Sequence, residues 1–232
     1  MYLSMDTPDP AAPRERLINA PGVVVCASLL LLGAHLAFTI SPAAMQEMVI
    51  ERFALIPEKL GRTGVWGGGY DGPIAAATPF LSSALLHADW LHVSVNAGFL
   101  LAFGSPVARK LGEDVRGGCA WALLFALSVV AGSLVFVLLN PGFPGVVVGA
   151  SGGTSGLMAA ALLAGRNSSE SVMFAREFWG FTLLFAVSNL ILTLIAPALL
   201  GGGLAWEAHL GGYVAGACLM LALDRPHTAG FS

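Results

Sequence analysis

The chain has 232 residues, of which 56% are apolar and only 11% charged, whereas a water-soluble domain carries roughly 25% charged side chains. A surface facing water throughout is therefore excluded. The net charge of −3 leaves no basic footprint for nucleic acid.

Residues 1–19 read as a short N-terminal tail, whose opening "MYLSMDTPDPAAP" is Pro-rich and expected to be disordered. Pro21–Ile40 is then the first of several runs without Asp, Glu, Lys or Arg; the others are Trp90–Ala108, residues 117–165, Phe178–Trp206 and Ala208–Leu223. About 20 apolar residues, rising about 1.5 Å each in a helix, cross a hydrocarbon core of roughly 30 Å. The first run is longer than a signal-peptide core and lacks a clean cleavage site, so 20–41 reads as a retained span. "NPGFPG" (Asn140–Gly145) divides the run at 117–165, and "APALLGGG" (Ala196–Gly203) ends the next. Six spans are expected, at 20–41, 88–108, 117–139, 146–165, 178–198 and 204–223. The fold class is thus an all-α membrane protein with a core over 20–225 and a C-terminal tail at 226–232.

With the N-terminus inside, the cytoplasmic side receives Arg14, Arg16, Arg109, Lys110, Arg116, Arg166, Arg176 and Arg225, and the other side only Arg52, Lys59 and Arg62. The positive-inside bias places both termini in the cytoplasm. Ala- and Gly-rich composition without a transit peptide points to a bacterial inner (plasma) membrane. Cys26, Cys119 and Cys218 lack CxxC spacing, so they read as small buried apolar residues rather than disulfide or metal ligands. Neither a metal nor a cofactor is expected.

The loop at 42–87 is far longer than the usual connection. Its first third is amphipathic (Met45, Met48, Val49 and Phe53 against Glu47, Glu51 and Arg52), and a glycine-rich middle, Gly67–Gly69, precedes an apolar last third. That pattern suits a segment lying on or in the outer leaflet.

Polar residues inside spans are costly and are functional candidates. The second span carries His92 and Asn96, one helical turn apart; the fourth carries Ser151 about five residues in, and the sixth carries His209 about five residues in. Spans two, four and six start on the same side, so all four residues share one layer, roughly 3–10 Å below the outer face. His35, in the first span, reads as an interhelical hydrogen-bonder, and Ser188 and Asn189, in the fifth, as packing contacts.

These residue types support nucleophilic acyl transfer. A serine hydroxyl needs a base such as a neutral imidazole, and the oxyanion then formed needs donors. Ser151 and His209 supply the dyad; His92, Asn96 and the unpaired N–H of Ser151 at a helix start are candidate donors. Glu207 falls on another face of the sixth span than His209, and Asp89 belongs to the loop end. Gly152 and Gly156 on the fourth span, and Gly212 and Gly216 on the sixth, form small-xxx-small faces that let the two helices approach closely.

In these motifs the chain resembles the rhomboid intramembrane serine proteases. Gly149, Ser151, Gly152 and Gly156 meet that family's G-x-S-G-x-x-x-G, His92 and Asn96 its H-x-x-x-N, and Ala208, His209, Gly212 and Gly216 its A-H-x-x-G-x-x-x-G. His87 matches a further histidine that helps hold the loop. The resemblance implies a six-helix rhomboid-like bundle with Ser151 as nucleophile and His209 as general base. It implies an oxyanion hole of His92, Asn96 and the Ser151 N–H, a fifth span moving as a lateral gate, and a long loop anchored in the bilayer. Substrates would be single-pass transmembrane proteins cut near the outer face; the oligomeric state stays open. Two positions depart from the family pattern: the loop lacks a Trp-Arg pair, and Ser155 stands where an aromatic commonly packs on the base.

Three other readings compete with this one. "GASGG" also fits the nucleophile elbow of soluble hydrolases, but that motif needs a strand and a soluble sheet. A transporter would show paired broken helices or buried acid–base relays. A non-catalytic rhomboid-like protein that binds transmembrane helices typically lacks the serine or the histidine, and both are present here.

Overall fold

A computed structural model describes residues 19–61, 69–165, 169–200 and 203–224. Most of the two tails, together with Arg14, Arg16, Arg62, Gly67, Gly68, Arg166 and Arg225, lie outside the described residues. The described chain is helical: α1 (Gly22–Thr39), α2 (Ala43–Phe53), α3 (Pro57–Gly61), α4 (Pro73–Ala77), α5 (Pro79–Ser82), α6 (Trp90–Phe99), α7 (Ser105–Leu111), α8 (Val115–Leu139), α9 (Ser151–Leu163), α10 (Ser169–Met173), α11 (Arg176–Leu200) and α12 (Trp206–Leu223). Four helical stretches are long and apolar enough to cross a membrane: Gly22–Thr39, Trp90–Leu111, Val115–Leu139 and Arg176–Ala196. Large apolar side chains such as Leu29, Leu123, Leu138, Leu183 and Leu194 are exposed on their outer faces, an arrangement that calls for lipid rather than water.

The second span is α6 and α7 joined by a π-helical turn, Leu100–Gly104. Such a turn misaligns the carbonyl ladder, and the indole Nε1 of Trp121 donates to the Gly104 carbonyl at 3.0 Å. Asp caps set the starts of two helices. The Asp89 carboxylate accepts from the N–H of His92 at 2.8 Å, and the Asp114 carboxylate from that of Gly117 at 2.8 Å, satisfying donors that helix geometry leaves unpaired.

The fourth span differs from its expected form. Its helix begins at Ser151 itself rather than five residues earlier, because residues 146–150 are not helical. Val147 makes an antiparallel bridge with Leu55, through Val147 N–H to Leu55 O at 2.8 Å and Leu55 N–H to Val147 O at 3.2 Å. At 13 residues, α9 is about 20 Å long.

α9 is enclosed: Gly152 through Leu157, Ala159, Ala160 and Leu163 are buried. Gly152, Gly153 and Gly156 cost it about 3 kcal/mol of helix propensity relative to alanine, so packing must hold it. A methyl on Gly212 would fall on the Gly152 carbonyl, one on Gly216 on the Gly156 backbone, and one on Gly132 of α8 on the Ala208 carbonyl. α8, α9 and α12 are therefore in backbone contact, and side chains at these positions would force them apart.

The long loop is folded into α2 to α5 and a 3-10 turn, Ser83–Leu85. Met45, Met48 and Phe53 of α2 are exposed, as its amphipathic pattern predicts. The Tyr70 hydroxyl donates to Ala54 O at 2.8 Å and accepts from Ile56 N–H at 3.0 Å, clamping the strand-like turn at Leu55. At the opposite end of the molecule Lys110 pairs with Asp224 at 3.0 Å and Arg109 donates to the Asn19 carbonyl. The start of α1, the end of α7 and the end of α12 thus lie together.

Two expectations fail. Cys26, Cys119 and Cys218 are free but exposed, because they sit on outward helix faces, where a small apolar residue is equally at home against lipid. His35 is buried, but neither ring nitrogen has a hydrogen-bond partner among the described residues. Its ring instead meets Trp90 edge-on, with centroids 4.7 Å apart.

Candidate active site

Ser151 is the first residue of α9, so its N–H has no carbonyl one turn earlier in the helix to bond. The extended segment before it is stitched to the long loop along its length. Leu55 pairs with Val147, the Gly149 N–H donates to Ser83 O at 2.9 Å, and the Ala150 N–H donates to His87 Nε2 at 3.4 Å. His87 is buried, and desolvation, with His92 and His35 close by, pushes its imidazole down to about 3. It is therefore neutral at physiological pH, as an acceptor for the Ala150 N–H must be. The long loop is thus a cradle for the residues that aim Ser151.

His209, on the first turn of α12, meets Ser151 directly, with Nε2 2.8 Å from Oγ. The parallel register of the two helices produces this contact, since Gly212 lies over Gly152 and Gly216 over Gly156, four residues further on in both. At Gly152 itself a methyl would sit 3.3 Å from the Ala208 carbonyl, so the tight point there is its own carbonyl against Gly212. Glu207 faces away, accepting from the Asn140 amide at 3.0 Å.

Gly149 has φ 122°, in the region that favours glycine. A Cβ there would lie 2.7 Å from Cε1 and Nε2 of His92 and 3.8 Å from Ser151 Oγ. The glycine therefore leaves room for the His92 ring to flank the serine hydroxyl. Asn96 is buried one turn below His92. Its amide Nδ2 donates to His92 O at 3.0 Å, and its Oδ1 lies 3.4 Å from the Thr154 hydroxyl. One of its two amide protons is committed to its own helix, and the other has no partner among the described residues. His87, His92, Asn96, Ser151 and His209 come together from the loop and three helices, and Gly149, Gly152, Gly156, Gly212 and Gly216 line the contacts that allow it.

One contact was missed by sequence reasoning. Nδ1 of His209 lies 2.7 Å from Oδ1 of Asn189 on α11, a residue read from sequence as a packing contact. Depth gave no signal for it: α11 continues to Leu200, eleven residues past Asn189, or about 16 Å of helix, deeper than the layer expected for the other four. Ser155 is buried and too small to stack on the His209 ring. Among the described residues no cluster of three or more His, Cys, Asp or Glu is arranged to hold a metal.

A family model described as Rhomboid domain matches residues 75–226, which include every residue of this constellation. An uncharacterized protein of Mycobacterium bovis and two of Mycobacterium tuberculosis are each 31% identical to this chain over 148 residues, 61% of this chain and 57% of their own length. The chain thus covers under two thirds of those relatives.

Proposed function

Because the chain belongs to the rhomboid family and carries apolar helices of membrane-crossing length, we propose that it is an intramembrane serine endopeptidase. The observation that carries this reading is the 2.8 Å contact between His209 Nε2 and Ser151 Oγ, a hydrogen bond of the length a nucleophile and its base require. α9 and α12 complete six spans in this reading, with both termini cytoplasmic and the dyad near the outer face of a bacterial plasma membrane. Substrates are single-pass transmembrane proteins whose helix enters between α11 and the bundle.

The chemistry follows from the geometry. The Ser151 hydroxyl proton passes to Nε2 of His209 as Oγ bonds to the scissile carbonyl carbon. The developing oxyanion is received by the Ser151 N–H, His92 and the free amide proton of Asn96; each such donor contributes about 3–4 kcal/mol. The imidazolium then hands its proton to the leaving nitrogen as the C–N bond breaks. A water attacks the acyl ester by the same route in reverse, returning the proton to Oγ.

The test is cleavage of a model transmembrane substrate by purified protein in lipid, comparing wild type with Ser151→Ala and His209→Ala, alongside labelling by a fluorophosphonate. Cutting and labelling by wild type alone is the expected result. A wild type that cuts nothing and leaves Ser151 unlabelled overturns the reading. Asn96→Ala should retain residual turnover, reduced by about 10²-fold through loss of one donor.

A further inference from the structure

We propose that Asn189 is a positioning residue for the base, holding His209 in its productive tautomer only while α11 lies against α12; this role rests on the protease reading of Ser151 and His209.

One chain of hydrogen bonds fixes the His209 ring. Asn189 Nδ2 lies 2.9 Å from the carbonyl oxygen of Phe185, one turn earlier in α11. A carbonyl can only accept, so the NH₂ end of the amide is fixed there and the oxygen end faces α12. That oxygen is 2.7 Å from His209 Nδ1, and it too can only accept, so Nδ1 must carry the ring proton. A neutral imidazole protonated on Nδ1 has its lone pair on Nε2, which faces the Ser151 hydroxyl at 2.8 Å. The opposite tautomer would point an N–H at the serine and could not take its proton. A backbone carbonyl of α11 thus determines, through two side chains, which way the proton moves. When His209 becomes an imidazolium, the same oxygen stabilises the charge at Nδ1.

Of the four helical stretches long enough to cross a membrane, the one that carries Asn189 is the least buried. Three residues on one stripe of α11 reach α12: the Thr182 hydroxyl lies 2.7 Å from that of Tyr213, the Phe185 ring stacks on Tyr213 at 4.5 Å, and Asn189 holds His209. Trp179, Leu183, Leu190 and Leu194 point outward. A crevice of about 160 Å³ lies between the two helices beside Asn189, walled by Phe185, Leu190, Trp206 and Leu210. A substrate helix entering here breaks the Asn189–His209 bond, and turnover needs α11 to return.

Few other groups can set the protonation of His209. His92 on α6 is the titratable group facing it, Glu207 of α12 is turned to Asn140, and the sequences of α8 and α9 place no charged side chain at this level.

The test combines ¹⁵N spectra of histidine-labelled protein with the pH profile of kcat/KM for Asn189→Ala and Asn189→Asp. Wild type should show His209 protonated at Nδ1. Asn189→Ala should show mixed tautomers and a kcat lowered about 10²-fold, the lower end of what a positioned base contributes, with KM little changed. Asn189→Asp, which keeps the shape and the acceptor, should recover most of kcat. It should also move the acid limb of the profile up by one pH unit or more, because a carboxylate favours the imidazolium. A tautomer unchanged in Asn189→Ala, or an acid limb unmoved in Asn189→Asp, overturns the proposal. Should wild type cut nothing and resist the fluorophosphonate, the protease reading falls separately, and the ¹⁵N tautomer still decides the role of Asn189.

Discussion

α9 and α12 meet backbone to backbone, whereas α11 reaches α12 through the side chains of Thr182, Phe185 and Asn189. The first contact has no rotamers to adjust, so the distance between Ser151 and His209 is fixed by the helices themselves. The second can open without changing that distance, although opening releases His209 from Asn189. In the proposed protease this separates what must be rigid, the spacing of Ser151 and His209, from what must move, the helix beside them. Asn189 is the point where the moving part acts on the rigid one.

The comparison can be broken from either side. Ser151→Ala or His209→Ala should remove proteolysis altogether, a loss on the order of 10⁶-fold by analogy with other serine proteases, read by substrate cleavage in lipid. Gly216→Ala places a methyl on the Gly156 backbone, which cannot rotate away. The expected cost is at least about 1–3 kcal/mol of stability; the dyad also spreads, and a 1 Å misplacement can cost about 10²-fold in rate. Thermal unfolding and cleavage should therefore fall together. Joining α11 to α12 with a short bifunctional reagent, through cysteines at Phe185 and Tyr213 in a background lacking Cys26, Cys119 and Cys218, should act differently. Cleavage of transmembrane substrates should stop while fluorophosphonate labelling of Ser151 persists, and equal loss of both would refute the separation. The smallest effect is expected from Gly180→Ala on α11, where a methyl meets nothing within 4 Å. Helix propensity should make that variant more stable by up to about 1 kcal/mol, with unchanged cleavage.

Much of the grouping of these side chains was legible because its signals are local. His92 and Asn96 are one turn apart, Ser151 sits among glycines, and His209 precedes Gly212 and Gly216 at helical spacing, so shared depth sufficed to join them. Asn189 was not legible, because its role depends on how α11 is rotated about its axis, and an all-round apolar helix gives no amphipathic face to read. The start of α9 was misplaced for a related reason. "VVVG" is as apolar as a helix interior, and only its pairing with Leu55, far away in sequence, makes it extended. The cysteines failed because a membrane reverses the rule that small apolar residues are buried. In the loop the amphipathic pattern of α2 was visible, but the grip of Ser83 and His87 on Gly149 and Ala150 was not, since backbone hydrogen bonds leave no mark in composition.

The separation in sequence between nucleophile and base also has a consequence for the order of synthesis. Chains emerge and begin to fold from the N-terminus, and His209 follows Ser151 by 58 residues. A partly made chain can hold α9 in its cradle of Leu55, Ser83 and His87, yet its serine has no base to take the proton. In the proposed protease, neighbours in the crowded site of membrane insertion are safe from attack until α12 arrives. On that reading the newborn chain is harmless by construction, and it becomes competent in the same step that closes its core.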